Sequence, residues 1–228
     1  MDKIIYTSNY YSVEHGNRIS ISKDEGKSAN YNGKVLLSLA PKEEFFRIWK
    51  NNKGKISEDE NNLYYIKNYY EKVLKKLDPE ILLESLPDKS ILLCYEESKN
   101  FCHRHLVAFW LELFLDIKTY DIKEVENYKA QIQERPEYLK DILEKVIKED
   151  YNMHGFNSIR AAYLYEGSLQ LEQSIEKIYK GNILDEYACE LYTIAARLRI
   201  ESDEAEEKYL KEKKYLKEKK YLKEKKIK

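Results

Sequence analysis

The sequence predicts an α/β domain with a small parallel-type sheet flanked by helices, followed by an all-helical appendage and a low-complexity helical tail. Residues 90–96 form an apolar run without alternation, which is typical of a central strand buried on both faces of a parallel sheet. A polar loop, a strongly helical stretch and a further short strand follow, in the order of a βαβ unit. We therefore divide the chain into the α/β domain 1–123, the appendage 124–206 and the tail 207–228.

Short strands are predicted ahead of the central one. Residues 3–8 are apolar enough for a strand, and residues 18–22 alternate in the manner of a second strand. Residues 24–33 are turn formers and charges, which indicates an exposed loop. Residues 34–39 are expected to be extended or to enter a helix.

Two helices are predicted between these strands and the central one. Pro41 suits the first turn of one helix. Apolar residues spaced by three and four between Leu63 and Leu77 predict a second helix, which Pro79 ends or restarts.

Helices dominate the rest of the chain. The central strand is followed by a predicted helix over 101–115 and a possible strand over 117–120. The appendage is predicted to hold helices over 124–149, 154–180 and 183–206. Gly155 and Gly181 are the expected breaks between them.

Length and composition argue against several protein classes. A chain of 228 residues can bury a sizeable core, and its longest apolar run is far short of the roughly 20 residues of a membrane helix. None of the seven glycines belongs to a GxGxxG or Walker motif, which weakens dinucleotide and P-loop interpretations. The three cysteines cannot all pair and no leader is evident, so we expect a cytoplasmic protein.

Charge is distributed unevenly along the chain. Residues 208–228 carry a net charge of +8 and the preceding residues −9, which argues against a broad nucleic-acid-binding face on the body. The tail repeats Tyr-Leu-Lys-Glu-Lys-Lys three times. A period of six rotates each Tyr-Leu pair by about 240° on a helix, so no continuous apolar stripe forms. We expect a solvated, partly helical tail; the alternative is a polybasic tether for an acidic surface.

The residues that could carry chemistry crowd into ILLCYEESKNFCHRHLVAFW, residues 91–110. Cys102, His103, Arg104 and His105 open a helix directly after the buried strand. A cysteine in the first helical turn lies near unpaired backbone N–H groups and the positive end of the helix dipole, which favour a thiolate or a bound anion. Ser98 or Asn100 is the expected cap of this helix.

Helical geometry predicts where these side chains point. Cys102 faces the sheet on the apolar stripe, whereas Arg104 and His105 lie on the flanks and reach a crevice or water. Glu96, at the carboxyl end of its strand, borders the crevice in which open α/β sheets usually bind ligands. Alternatively, Cys102 is a small hydrophobe and His103 satisfies a buried carbonyl.

A metal site is a competing interpretation of the same segment. Cys94, Cys102, His103 and His105 supply the atoms that zinc prefers. Their spacing is not C-x-x-C, and consecutive helical residues diverge by about 100°, which argues against this site. Without a metal, Cys94 is expected to be part of the core, and Cys189 to be core or inert.

The run LLCYE followed by FCHRHLVA resembles the signature of the bacterial and phage family known as domain of unknown function 488. Weaker matches lie at residues 5–9, 19–22, 39–42 and 64–77, so that the resemblance covers about 1–123. It implies a compact α/β domain with an active site at Glu96, Cys102, His103 and Arg104, of no settled reaction.

We therefore expect an enzyme acting on a small anionic, phosphate- or nucleotide-like substrate. Cys102 is the candidate nucleophile or redox thiolate, Arg104 holds the anion, and His103 or Glu96 moves protons. The candidate substrate-binding residues are Ser8, Asn9 and His105. The alternative is a non-catalytic module that binds a nucleotide or signal, with a protein partner on the helical appendage. The sequence identifies no cofactor.

Overall fold

The computed structural model describes residues 3–125, 129–179 and 186–225. The chain divides into two compact units, Met1–Glu149 and Asp150–Lys228. The three-part division of the sequence rested on a change of pattern near residue 124, and it stays a prediction. Across the described ranges, the helices are all too short or too polar to span a bilayer.

The first unit is built on a sheet of six described strands. They are β1 (Ile5–Asn9), β2 (Asn17–Ser20), β3 (Lys34–Val35), β4 (Ser90–Cys94), β5 (Thr119–Val125) and β6 (Lys129–Ile132). Their order is β3-β2-β4-β1-β5-β6, and all neighbours are parallel except β5 and β6. The predicted α/β class with a mainly parallel sheet is confirmed.

Helices flank this sheet. They are α1 (Glu43–Asn52), α2 (Glu58–Lys72), α3 (Pro79–Ser85), α4 (His103–Leu115) and α5 (Tyr138–Asp150). A capping box of Ser57 and Glu60 starts α2 five residues before the first predicted apolar position. Asp78 accepts hydrogen bonds at the start of α3, so Pro79 restarts the helical path, as one of the two predicted outcomes.

The strand β4 and the helix α4 form the centre of the core. Every residue of β4 is buried, as its unbroken apolar run predicted. In α4, ten residues are buried, including all of His103–Leu111. This helix is therefore covered by protein on most of its circumference, and its first turn stands over the carboxyl end of the sheet.

The prediction that the chain is only helical after residue 124 is wrong. The strand β5 continues to Val125, and β6 returns antiparallel to it with Ile132 opposite Ile122. All four residues of β6 are exposed, so burial leaves no pattern in its sequence. Pairing of its backbone with β5 defines this strand, and such pairing cannot be read from hydrophobic periodicity.

The second unit consists of α6 (Ile159–Tyr179) and α7 (Glu186–Lys225), which pack on each other. The hydroxyl of Ser202 on α7 donates to the backbone oxygen of Ala161 on α6 at 2.8 Å. The predicted helical appendage is confirmed in this unit. The predicted break at Gly181 and the predicted helix start at residue 183 lie outside the described residues.

The tail repeats continue the helix α7 without a break as far as Lys225. Lys, Glu and Leu favour a helix, and neither glycine nor proline interrupts residues 186–225. Tyr215 and Leu216 are 62% and 55% exposed. The tail is thus helical, as predicted, and the described Tyr-Leu pairs contribute little to a core.

Candidate functional site

The carboxyl ends of β1 and β4 form the switch point of the sheet. The chain leaves β1 towards β2 and leaves β4 towards β5, in opposite directions along the sheet. Ligands of open α/β sheets bind in the crevice at such a point. A cleft of about 770 Å³ opens here, and the residues that line it include Asn9, Tyr11, Tyr95, Glu97, Ser98 and Gln133.

A group of four side chains lies beside this cleft; we call it the cysteine cluster. It consists of the buried Cys94, Cys102 and His103 and the half-buried Glu96. Cys94 ends β4 and His103 begins α4, so a strand end and a helix start position the group. The sulfurs of Cys102 and Cys94 lie 3.0 Å and 3.2 Å from the same oxygen, Oε2 of Glu96. The Cys94 sulfur is also 3.6 Å from His103 Nδ1.

The helix α4 starts at His103, two residues later than the predicted start at residue 101. Cys102 is itself the N-cap, with an extended backbone at φ −154° and ψ 144°. The predicted caps are wrong: Ser98 donates to the backbone oxygen of Glu134 instead. Because Cys102 is not helical, its side chain does not diverge from His103 by a helical step, and Cys102 Sγ lies 4.0 Å from His103 Nδ1.

Arg104 is fully buried, which excludes one of its two predicted surroundings, water, and leaves the other, a crevice. Its Nε donates to Asp121 Oδ2 at 3.0 Å, and its Nη1 donates to the backbone oxygen of Glu96 at 2.6 Å. Its Nη2 is buried and has no hydrogen-bond partner among the described residues. Burial is the largest influence on the pKa of Asp121 and raises it, but the adjoining guanidinium favours the ionised carboxylate.

Asp121 contacts the candidate site, and the sequence did not predict it. It lies on β5, whereas the predicted strand ended at residue 120. Besides Arg104, it accepts a hydrogen bond from Thr7 Oγ1 at 3.2 Å. A polar side chain at an inward position of a strand was the available signal, but it required the strand to be extended past Tyr120.

His105 is also fully buried, although the sequence placed it on a flank. Its Nδ1 is 3.5 Å from Asp121 Oδ2. Burial and the neighbouring charge of Arg104 lower the pKa of His105 to about 3. The ring is therefore neutral near pH 7, and its approach to Asp121 is not an ion pair.

The other two predicted substrate-binding residues differ in their surroundings. Ser8 is buried and its hydroxyl donates to the backbone oxygen of Ile122 at 2.6 Å. Asn9 lines the cleft, where its Oδ1 accepts a hydrogen bond from the backbone N–H of Tyr11 at 2.9 Å. Asn9 therefore lies at the cleft, whereas the Ser8 hydroxyl is engaged in a hydrogen bond within the sheet.

The acidic groups of the cysteine cluster differ in the direction of their pKa shifts. Burial raises the pKa of the Cys102 thiol, but the Cys94 hydrogen bond and the charges of Arg104 and His103 outweigh it and hold the pKa well below its usual range. Burial, followed by the charge on Cys102, raises the pKa of Glu96 to about 7. Burial keeps the Cys94 pKa well above its usual value. These shifts favour the ionised form of Cys102 over that of Cys94.

A short segment separates Cys102 from the cleft. Cys102 is 2% exposed, and the described cleft is lined by Tyr95 and Glu97 on either side of Glu96. Ser98 and Lys99 of this segment bind Glu134, the latter through an ion pair of 2.9 Å.

Some of these side chains have the donor atoms and the proximity to hold a metal ion. One ligand atom from each of Cys94, Cys102 and His103 lies within 4.8 Å of the other two. The metal set considered from the sequence also contained His105, but its ring lies against Asp121 and outside this group.

The fold and this geometry define an α/β protein with the cysteine cluster at the switch point of a mainly parallel sheet. Two cysteines and a histidine of the cluster are buried, and its glutamate is half-buried. Residues 6–114 match the family model DUF488-N3a, described as the active DUF488-N3 subclade. This match confirms the resemblance to the DUF488 family that the sequence shows. No curated protein and no solved structure matches the chain.

Proposed function

We propose that the α/β unit is a cysteine-dependent enzyme that acts on a small anionic, phosphate- or nucleotide-like substrate. The observation that carries this proposal is the position of Cys102 at the start of α4, with the imidazole of His103 and the guanidinium of Arg104 next to it in the chain. A thiolate is the reactive form of cysteine, and a helix start with adjacent cations stabilises it. Cys102 would act as a nucleophile or a redox thiolate.

Arg104 supports an anionic substrate. Its Nη2 is buried without a partner among the described residues, and a buried donor of this kind normally has one. A phosphate or carboxylate oxygen would satisfy it with a charge-assisted hydrogen bond. The backbone oxygen of Glu96, which accepts from Nη1, belongs to the segment that lines the cleft on both sides of that residue.

Glu96 and His103 supply groups for proton transfer. Glu96 Oε2 lies 3.0 Å from the Cys102 sulfur, and its pKa of about 7 suits a group that both accepts and releases a proton near neutral pH. His103 is held by a hydrogen bond between its Nε2 and the backbone oxygen of Ile21 at 3.0 Å, so its Nδ1 faces the sulfurs. The family description, which calls the subclade active, favours an enzyme over a non-catalytic module.

Alkylation tests the thiolate in a way that does not depend on how accessible the sulfur is. A Cys189→Ser chain is treated with iodoacetamide between pH 6 and pH 8 in the presence of a chelator, and adducts are located by peptide mass. For free cysteine, with a pKa near 8.5, the thiolate fraction is roughly 80-fold lower at pH 6 than at pH 8. We expect the rate at Cys102 to change by less than about threefold. A slope as steep as that of free cysteine would refute the thiolate.

A second measurement separates the enzyme from a binding module. Cys102→Ser should bind inorganic phosphate or a nucleotide as the parent chain does but lose turnover, because Arg104 rather than Cys102 holds the anion. Retention of both binding and cellular activity in this variant would favour the module.

A further inference from the structure

We infer that Cys94, Cys102 and His103 form a binding site for a single zinc ion, and that the metal and a reactive Cys102 exclude each other. The zinc site itself stands apart from the proposed function. Only the statement that the metal blocks a reactive Cys102 rests on that proposal. The zinc site gives Cys94 a metal-binding role in addition to its hydrogen bond to Cys102. The donor set of two thiolates and one imidazole suits Zn²⁺ and disfavours the harder Mg²⁺ and Ca²⁺.

The separations of the donor atoms fit a tetrahedral ion. A zinc ion with a Zn–S bond of about 2.3 Å and a Zn–N bond of about 2.0 Å separates sulfur from nitrogen by about 3.5 Å. The two sulfurs lie 3.6 Å and 4.0 Å from His103 Nδ1. The two sulfur-to-nitrogen separations are therefore within about half an ångström of the tetrahedral value, and the two sulfurs lie within 4.8 Å of each other.

The tautomer of His103 is also the one that a metal requires. Its Nε2 is 3.0 Å from the backbone oxygen of Ile21, which can only accept a hydrogen bond, so Nε2 carries the proton. In the neutral ring the lone pair is then on Nδ1, directed towards the sulfurs. Histidines that bind metals usually donate their other N–H to a carbonyl or carboxylate in this way.

The support for these ligands is rigid and dry. Cys94 is the last residue of a fully buried strand, and Cys102 and His103 are fixed at the start of the most buried helix. All three side chains are buried. Three protein ligands leave a fourth position for water, as in catalytic zinc sites, and Glu96 lies against both sulfurs beside it.

Binding displaces the proton of the Cys94 thiol, and a proton on His103 Nδ1 where the ring carries one, to solvent. Cys102 binds as the thiolate, and two Zn–S bonds and one Zn–N bond form. Cys102 in this state has its sulfur lone pair on the metal and cannot attack a substrate. The metal-free state has the reactive thiolate. Zinc would therefore protect Cys102 from alkylation, and the protection would require Cys94.

The experiment uses the full chain with Cys189→Ser, which removes the exposed cysteine and leaves the site intact. Chelator-treated protein is titrated with Co²⁺ and then with Zn²⁺. We expect one ion per chain, intense thiolate-to-cobalt absorption that Zn²⁺ abolishes, and at least tenfold slower alkylation of Cys102 with Zn²⁺ than without.

Cys94→Ser and Cys94→Ala are the matched variants, checked for folding by circular dichroism. We expect both to bind Zn²⁺ at least tenfold more weakly and to lose the protection, while Cys102 still reacts in the absence of metal. Absence of cobalt–thiolate absorption in the parent, or equal zinc affinity in a folded Cys94 variant, would overturn the site. If zinc binds but metal-free Cys102 shows the steep pH profile of free cysteine, the proposed function fails and the zinc site stands.

Discussion

Removal of the Asp121 carboxylate should destabilise the first unit strongly. In the parent, this 1% exposed side chain accepts from Arg104 Nε at 3.0 Å and from Thr7 Oγ1 at 3.2 Å. In Asp121→Ala the Arg104 guanidinium stays charged, because arginine does not lose its proton in proteins. It also stays buried, next to a neutral His105. The guanidinium keeps the Glu96 backbone oxygen but loses its counter-ion.

The size of the loss follows from the burial of both partners. Breaking a buried ion pair by removing one partner costs about 3–5 kcal/mol. For a unit close to 150 residues, each 1 kcal/mol lowers the thermal midpoint by about 2–4 °C, so the shift should be roughly 6–20 °C. The double variant Arg104→Met/Asp121→Leu removes both charges and should recover much of this loss, since apolar replacement of a buried pair is often neutral.

Thermal unfolding followed by circular dichroism, with urea titration as a second probe, measures the effect. Glu44→Gln is the control: it breaks the ion pair between Glu44 and Lys72 at the surface and should leave the midpoint unchanged. If Asp121→Ala behaves like this control, or if the double variant is less stable than Asp121→Ala, the buried pair is not a charged unit and the reasoning fails.

Three further predictions concern other parts of the molecule. Burial raises the pKa of Glu112, but the charges of Lys140 and Arg135 outweigh burial, and the net shift is downward. The ionised carboxylate therefore stabilises the fold at pH values above the unfolded pKa near 4.5, and this stabilisation is lost as the pH falls below it. Glu112→Gln should cost about 1–3 kcal/mol in urea titrations at pH 7 and progressively less below pH 4; a loss independent of pH would contradict this. Leu92→Ala, at a fully buried position of β4, should cost about 2–5 kcal/mol by the same method, whereas Ile81→Ala, 68% exposed, should cost little; similar values for both would count against the described core. Truncation after Glu207 should move the thermal midpoint by less than about 2 °C, and a larger fall or the loss of an oligomer would show that the repeats pack.

The elements around the site could be predicted because their signals are local. An unbroken apolar run predicts a buried strand wherever it lies in the chain, and the run that became β4 needed no partner to be recognised. The helix α4 was equally evident, and the family signature lies across the two. The position of Cys102 at the start of a helix behind a strand followed from these residues alone.

The antiparallel strand β6 could not be predicted in this way. Its four residues are exposed, and the pairing partner β5 defines it. A strand of this kind is specified by backbone hydrogen bonds to another segment, and its own side chains carry no burial pattern.

Sequence alone thus determined the class of fold, the strand and helix that frame the site, and three of the side chains in the cysteine cluster. Only the tertiary structure shows that Cys94 contacts Glu96 and His103. It also shows that Arg104 is buried against Asp121 and that the Ser8 hydroxyl bonds within the sheet. The physical reason is twofold. The direction of the Cys102 side chain depends on a backbone that is extended at the N-cap instead of helical, and the contact between Arg104 and Asp121 joins segments that meet only when β5 pairs with β1.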